Sequence, residues 1–139
     1  MPVAATQHTT AGAESFAAFF VRTIDWGFAT TSSAYMRHYF LRTCAGCRAF
    51  ADGIDVDRKA AVRYIGGRFT VTGTRQGAIA GPAGSEPSVI VTWDATSFEK
   101  LGESGKFLLG EPAYKAQQFE VSVRWTAGSW ATTRLVVNQ

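Results

Sequence analysis

Cysteine is scarce in this sequence, and the two that occur, Cys44 and Cys47, stand three residues apart. A structural zinc site normally needs four ligands from paired clusters, so a single pair argues against that class of site. A thioredoxin-like redox motif follows a strand in a βαβ unit, whereas this pair follows a helical pattern, Ala34 to Leu41. A local structural disulfide, two free thiols and a redox pair remain as alternatives, and the disulfide is favoured.

Long apolar runs are also missing. No stretch approaches the roughly 18 apolar residues needed to span a bilayer. The excess of one charge is small, because 14 Lys and Arg face 11 Asp and Glu for a formal net charge of +3. That bias does not by itself indicate a nucleic-acid partner. No phosphate loop, HExxH motif or nucleophile–base–orienter set is visible, so the sequence predicts neither a metal nor a cofactor.

Length and composition indicate one domain. A chain of 139 residues with 46% hydrophobic content is long enough for one core and too short for two ordinary domains. The first ten residues, Met1 to Thr10, are small and polar, with neither a charged nor an apolar region of a signal peptide. They predict a disordered leader at residues 1–10, followed by the domain at residues 11–139.

Helical periodicity is confined to the first half of the chain. Apolar residues recur at helical spacing from Ala13 to about Thr30, and the wide apolar surface predicts a helix covered on more than one side. Hydroxyl side chains at residues 30–33 end it and begin a short second helix, Ala34 to Leu41. A third helix is predicted from Ala45 to Ile65, ended by Gly66 and Gly67.

The period changes to two after Gly67, which predicts a sheet. The predicted strands are residues 69–74, 89–94, 119–125 and 130–137. The turn at residues 127–129 makes the last two a hairpin. The composition of Gly81 to Pro87 indicates a loop. The fold class is therefore α+β, with three N-terminal helices packed on a curved antiparallel sheet of about four strands.

The connection from Ser97 to Ala116 is long and contains several glycines. Its apolar residues are more numerous than a solvated loop requires, and they either cover the mouth of the sheet as a lid or stay exposed as a binding patch. The alternative is that Phe98 and Leu101 extend the second strand while Phe107 to Leu109 form a short edge strand.

Four segments carry a resemblance to a known family. They are Thr10-Ala-Gly-Ala-Glu-Ser-Phe-Ala-Ala-Phe-Phe, Asp25-Trp-Gly-Phe-Ala-Thr, Cys44-Ala-Gly-Cys47 and Gly66-Gly67-Arg-Phe. They resemble actinobacterial lipoproteins that carry a domain of unknown function with a nuclear-transport-factor-2-like, cystatin-like cone fold. The resemblance covers about residues 10–137. It implies export through an upstream lipobox cysteine and lipid anchoring on the outer face of the cell membrane.

Such an exported setting implies a compartment that permits disulfides, so Cys44 and Cys47 are expected to be joined. It disfavours a nucleic-acid partner. The fold supports isomerases, dehydratases, polyketide cyclases and many binding domains, so it implies no activity by itself.

Three side chains are weak catalytic candidates, because a catalytic cone aims an acid or base into its mouth: Asp25, His38 and Asp94. Each also has an ordinary structural interpretation, as a hydrogen-bonded helix carboxylate, a surface histidine and a turn cap. Six aromatic residues either line a hydrophobic pocket or fill the core: Trp26, Phe69, Trp93, Phe119, Trp125 and Trp130. Six basic residues form a solvated face or contact anionic membrane or wall polymer: Arg37, Arg42, Arg48, Arg58, Lys59 and Arg63.

The sequence thus predicts a non-catalytic, exported and membrane-tethered cone domain that binds a hydrophobic small molecule or a protein partner. The alternative is a cavity enzyme of isomerase or dehydratase type that uses one Asp or His as its acid or base. The sequence leaves the oligomeric state open, and a dimer is compatible with it.

Overall fold

The computed structural model describes residues 1–78 and 86–138, and it confirms the α+β fold class. The helices are α1 (Thr10–Thr30), α2 (Ala34–Arg37) and α3 (Ala45–Lys59). The strands are β1 (Arg63–Gly66), β2 (Phe69–Gln76), β3 (Ser88–Ala95), β4 (Phe98–Leu101), β5 (Phe107–Glu111), β6 (Tyr114–Thr126) and β7 (Ser129–Asn138). Residues 81–85 of the predicted loop lie outside the described residues.

The strands form two antiparallel sheets. The larger has the order β2-β3-β6-β7, and the smaller has the order β1-β4-β5. Only two residues separate β3 from β4, and two more separate β5 from β6. The β4–β5 hairpin therefore continues the β3–β6 pair beyond a bend. We call β1, β4 and β5 the small sheet.

Helix α1 is the main partner of the larger sheet. The Thr9 side chain accepts a hydrogen bond from the backbone N–H of Gly12 at 2.9 Å and begins the helix at Thr10 rather than at the predicted Ala13. Phe16, Phe20 and Ile24 are fully buried in one apolar cluster with residues of β3, β6 and β7. The prediction of a long helix covered on more than one side is confirmed.

The predicted third helix is wrong beyond Lys59. The chain turns at Ala61, which has a left-handed backbone (φ 55°), and residues 63–66 form β1 instead of a last helical turn. Gly66 and Gly67 have left-handed backbones (φ 80° and 68°) beside the start of β4, and a Cβ on Gly67 would lie 2.9 Å from that of Phe98. The two glycines thus end a strand that pairs with β4, and they do not end a helix.

The second helix is also shorter than predicted, because it ends at Arg37 and not at Leu41. The backbone after it pairs with β7. Leu41 N–H donates to the carbonyl of Thr132, and Thr132 N–H donates to the carbonyl of Tyr39, both at 2.9 Å. The backbone groups of Tyr39 and Leu41 therefore pair with the edge of β7 and do not continue α2.

The N-terminal segment differs from the expected disordered leader. Residues Val3–Thr6 form a 3-10 turn, and Ala5 is buried. The indole N–H of Trp130 donates to the carbonyl of Gln7 at 2.8 Å. The segment is short and polar, but it packs on the end of the β6–β7 hairpin. Among the helices in the described residues, none is both long and apolar enough to cross a membrane.

Candidate functional site

Strand β5 is an edge strand in the described part of the molecule. It pairs with β4 on one side. On its other side no strand of the described residues pairs with it, and the described pairing of β6 with β7 runs from Thr126 with Ser129 to Gln118 with Asn138. The outward N–H and C=O groups of β5 therefore have no strand partner among the described residues.

Three consecutive apolar side chains on β5 are exposed. Phe107 is 58% exposed, Leu108 is 45% exposed and Leu109 is 40% exposed. We call these three residues the β5 patch. Isolated exposed apolar side chains are ordinary, but three on one short strand are a feature of interaction surfaces. They flank the strand on both faces, because the Phe107 ring lies against Gly110 while Leu109 stands in the row of Lys100. Of the alternatives for residues 97–116, the structure contains the short edge strand, with its apolar side chains exposed, but Phe98 to Leu101 form β4 of the small sheet and do not extend β3.

A shallow open groove of about 520 Å³ lies beside the β5 patch. Its floor includes a row of direct cross-strand neighbours, Ile65, Glu99 and Gly110. Gly110 adds no side chain to this row, and the ring of Phe107 lies against it. The groove lining comprises Ile65, Gly66, Ser97, Phe98, Glu99, Gly110, Glu111 and Pro112. Its lining is mixed polar and apolar, and of its two glutamates only Glu99 stands in the row of Ile65 and Gly110, because Glu111 pairs with Phe98 in the next row.

The opposite face of the small sheet is held by the helices. Tyr64, Lys100 and Leu109 form the neighbouring cross-strand row. The Tyr64 ring contacts Phe28 of α1 with centroids 5.3 Å apart, and its hydroxyl donates to Asp57 of α3. Burial and this bond to a carboxylate raise the pKa of Tyr64, so its phenol stays neutral as a donor. The row containing Ile65 and Glu99 therefore faces away from the helices.

The six aromatic candidates do not gather in one place. Phe69, Trp93 and Phe119 stack in a row, with centroids 4.2 and 5.1 Å apart. Trp125 and Trp130 contact each other at the end of the β6–β7 hairpin, and Trp26 is exposed on α1. The stacked row belongs to the core. The indole N–H of Trp93 is buried there and has no hydrogen-bond partner among the described residues.

Asp25 forms an ion pair with Arg68. Its carboxylate accepts hydrogen bonds from Arg68 Nε at 3.0 Å, Arg68 Nη2 at 2.8 Å and the backbone N–H of Phe69 at 2.9 Å. The bond to Asp25 raises the pKa of Arg68. Asp25 thereby ties α1 to the start of β2, and it does not line the groove.

The other two catalytic candidates also serve local structure. His38 is exposed at the C-terminal end of α2. Asp94 accepts the backbone N–H of Ala116 at 2.9 Å and lies 3.5 Å from Lys115 Nζ, beside the irregular pairing of β3 with β6. The structure gives the three candidates separate partners. Within residues 1–78 and 86–138, no group of three potential metal ligands converges.

The predicted disulfide is confirmed. Cys44 and Cys47 are joined, with Cα atoms 5.2 Å apart, and both are fully buried. Cys44 caps α3, and its sulfur accepts the backbone N–H of Cys47 at 3.2 Å. Burial keeps the bond away from large redox partners, so the pair has a structural role at the start of α3.

The predicted basic side is partly neutralised. Arg37 bonds Asp52 at 2.8 Å and Asp55 at 2.7 Å, which raises the pKa of Arg37. Arg58 donates to the carbonyl of Thr31 at 3.1 Å. Arg42, Arg48, Lys59 and Arg63 are exposed, and none has an ion pair among the described residues.

Sequence reasoning did not single out the groove residues Ile65, Glu99, Gly110 and Glu111. The helical pattern assigns Ile65 to the third helix, so its pairing with Glu99 of β4 was not predicted. The apolar residues at 107–109 are a visible signal, because they exceed what a loop needs. The groove itself arises from cross-strand pairing and has no local sequence pattern.

Comparisons with known proteins identify a fold and no family. No protein-family model and no curated protein matches this sequence. Among solved structures, the chain is similar to the intermembrane space region of the chloroplast protein ARC6, at 10% identity and a TM-score of 0.61, over 94% of this chain and 97% of that one. It is also similar to Aln2 from a Streptomyces species, at 12% identity and a TM-score of 0.52, over 96% and 93% of the two chains. At such low identity the likeness concerns the fold alone.

Proposed function

We propose that this chain is a non-catalytic, exported and membrane-tethered binding domain that holds a protein partner on its small sheet. One observation carries the proposal. Strand β5 combines a free backbone edge with three exposed apolar side chains beside an open groove. Main-chain pairing supplies affinity at such an edge, and side-chain contacts supply specificity.

The geometry favours a protein over a hydrophobic small molecule. Small-molecule sites usually bury most of the ligand in a concave, enclosed pocket. The groove here is open, and the aromatic row of Phe69, Trp93 and Phe119 is stacked against itself. A long, shallow surface of this kind is suited to an extended polypeptide.

The geometry also favours binding over isomerase or dehydratase chemistry. A general acid or base must lie within hydrogen-bond reach of the substrate, in a site that excludes water. Asp25 is bonded to Arg68, Asp94 holds the backbone of Ala116, and His38 is exposed. None of the three lines the groove.

The location is the second part of the proposal, and it comes from the resemblance to nuclear-transport-factor-2-like actinobacterial lipoproteins. The buried Cys44–Cys47 disulfide supports an oxidising compartment outside the cytoplasm. The exposed Arg42, Arg48 and Lys59 support peripheral attraction to anionic lipid or wall polymer.

Adding a protease to intact cells of the source organism tests the location. We expect this protein to be degraded while a cytoplasmic marker survives, and survival of both would contradict export.

Photo-crosslinking in living cells tests the partner class. A photo-reactive amino acid replaces Leu108 in the β5 patch or, as the matched control, Val56, which is 65% exposed on α3. We expect Leu108 to give one discrete crosslinked product containing a second protein, and Val56 to give none. Equal products from both positions, or no protein adduct at Leu108, would refute the proposal.

One observation favours a hydrophobic small molecule as a second candidate. The buried indole N–H of Trp93 has no partner among the described residues, and an acceptor atom on a ligand would satisfy it. Mass spectrometry of an organic extract from protein purified without detergent tests this. A stoichiometric compound that is lost in a Trp93→Phe variant supports the candidate, and an extract without such a compound rejects it.

A further inference from the structure

The small sheet contributes no residue to the buried core. Every residue of β1, β4 and β5 is described, and none of them is among the buried apolar residues, which come mainly from the helices and from β3, β6 and β7. Its strands are only four or five residues long, and no described strand joins it to the larger sheet. A sheet this small needs a packed face to be stable. The small sheet therefore depends on its contact with the helices.

Tyr64 is the centre of that contact. Its ring meets Phe28 of α1, and the ring of Phe98 packs on it with centroids 5.7 Å apart. The amino group of Lys100 lies 5.8 Å from the centre of the Tyr64 ring. Leu109, which pairs with Lys100 in the same cross-strand row, is 40% exposed. The packed face is thus narrow, and a few side chains determine whether the small sheet stays in place.

Two polar contacts of this face end on one carboxylate of α3. The Tyr64 hydroxyl donates to Oδ2 of Asp57, and Lys100 Nζ lies 3.5 Å from Oδ1. The side chains of Asp57 and Lys100 are 15% and 27% exposed, so solvent screens their attraction less than that of a surface pair. Asp57 therefore holds both β1 and β4 against the helices.

Asp57 occupies a position that its own helix disfavours. It lies in the last turn of α3, next to Arg58 and Lys59. A carboxylate is unfavourable there because it faces the negative end of the helix dipole, whereas the two cations are favourable. Replacing Asp57 should therefore not weaken α3 itself. Any loosening of the small sheet can then be assigned to the lost contacts with Tyr64 and Lys100.

We propose that the small sheet opens and closes as one unit while the larger sheet stays folded, and that Asp57 is the residue that holds it closed. The inference rests on the proposed function, because it concerns the regulation of the proposed binding surface. When Asp57 releases Tyr64 and Lys100, the small sheet loses its packed face, and its three strands separate together. The β5 patch exists only in the closed form, so a bound partner shifts the equilibrium toward that form.

Amide hydrogen exchange of the intact protein, followed residue by residue by NMR, tests the separate opening. We expect the interstrand amides of β1, β4 and β5 to share one level of protection, lower than that of β3 and β6. Urea should accelerate their exchange less steeply than that of β3 and β6, because opening the small sheet exposes less surface than global unfolding. Equal protection and equal urea dependence in the two sheets would overturn the inference.

Two variants of opposite kind test the role of Asp57. Asp57→Ala should speed exchange in the small sheet about ten- to a hundredfold, as expected for the loss of a hydrogen bond to a charged group together with an ion pair. Val121→Ala, which removes buried atoms from β6, is the control. It should speed exchange in β3 and β6 about tenfold or more and leave the small sheet within about twofold, because its contacts break only on global unfolding. Acceleration of both sheets by Val121→Ala, or none of the small sheet by Asp57→Ala, would refute the inference.

Variants of the two partners keep the test decisive even where Asp57→Ala does not fold. Tyr64→Phe keeps the ring on Phe28 and removes only the donor, so exchange in the small sheet should rise about tenfold. Lys100→Gln should raise it by no more than about fivefold, because this pair is partly exposed. Adding Tyr64→Phe to Asp57→Ala should change little further, since both remove the same bond. Full additivity of the two would contradict a direct role of the Tyr64–Asp57 contact.

The exchange measurements and the Leu108 crosslink can fail separately. A protein adduct at Leu108 without a separate opening of the small sheet refutes the inference and leaves the proposed function standing. A separate opening controlled by Asp57, without an adduct at Leu108, refutes the proposed function and leaves the role of Asp57 standing.

Discussion

Asp25 illustrates how a single buried carboxylate can hold two elements together. Its side chain is 11% exposed, and all three of its hydrogen bonds reach the start of β2. The sequence made it a candidate acid because it stands beside Trp26 on an apolar helix. In the structure the Arg68 guanidinium and the Phe69 N–H donate three hydrogen bonds to it, which gives it a structural role.

Replacing Asp25 with alanine should therefore destabilise the fold. We expect a loss of about 1–3 kcal/mol in the free energy of unfolding, because the Phe69 N–H and the Arg68 guanidinium lose their acceptor. Asp52→Ala is the matched control, since it also removes an arginine-paired carboxylate, but one whose side chain is 69% exposed. It should cost less than about 1 kcal/mol. Urea unfolding measures both, and equal losses would contradict the structural role of Asp25.

In helix α3, packing at the N-terminal end determines which glycine can be replaced by a larger residue. Its N-terminal turn is pinned by the Cys44–Cys47 disulfide and lies against β7. A Cβ on Gly46 would lie 2.2 Å from the carbonyl oxygen of Leu135 in β7. A Cβ on Gly53, in the middle of the same helix, would meet nothing within 4 Å. One glycine is required by a close approach, and the other only weakens the helix.

The two glycines should respond to alanine with opposite signs. Gly46→Ala should destabilise the protein by about 1–3 kcal/mol, because the backbone of β7 must move to admit the methyl group. Gly53→Ala should stabilise it by about 0.5–1 kcal/mol, because alanine is the better helix former. Thermal unfolding of the two variants measures the difference. Stabilisation by both would show that α3 does not lie this close to β7.

At the scale of the whole molecule, the first residues pack on the last hairpin. Ala5 is 1% exposed and belongs to the core. The His8 ring stacks on Trp125, with centroids 4.5 Å apart, while Gln7 accepts the indole N–H of Trp130. These contacts join the two ends of the chain, and they leave the small sheet with its β5 edge untouched.

Charge placed at Ala5 should release the N-terminal segment. Ala5→Asp buries a carboxylate for which the surrounding cluster provides no cation, so we expect a loss of about 1–3 kcal/mol in the free energy of unfolding. Ala4→Asp is the control, because Ala4 is exposed and should change stability by no more than about 0.5 kcal/mol. Urea unfolding, with hydrogen exchange at residues 3–8, measures the effect. Faster exchange in both variants would mean that the segment is not specifically docked.

Much of the fold could be predicted, because the residues that determine these parts of it are close together in sequence. The spacing of Phe16, Phe20 and Ile24 favours an amphipathic helix, and the alternation along residues 119–137 favours a hairpin. The disulfide was predictable because its two cysteines are neighbours in sequence and have no competing thiol. In these cases the residues that interact lie within a few positions of each other.

The tertiary structure alone decided the rest, because the interacting residues are far apart in sequence. Residues 63–66 follow a helical pattern, yet they form β1 because Ile65 can pair with Glu99 on β4. Asp25 became structural because Arg68, forty-three positions away, reaches it. The pairing of β5 with β4 joins residues of two separate segments, and no local periodicity encodes its register. The candidate binding surface is therefore a property of strand pairing, even though the apolar residues that form it were visible in the sequence.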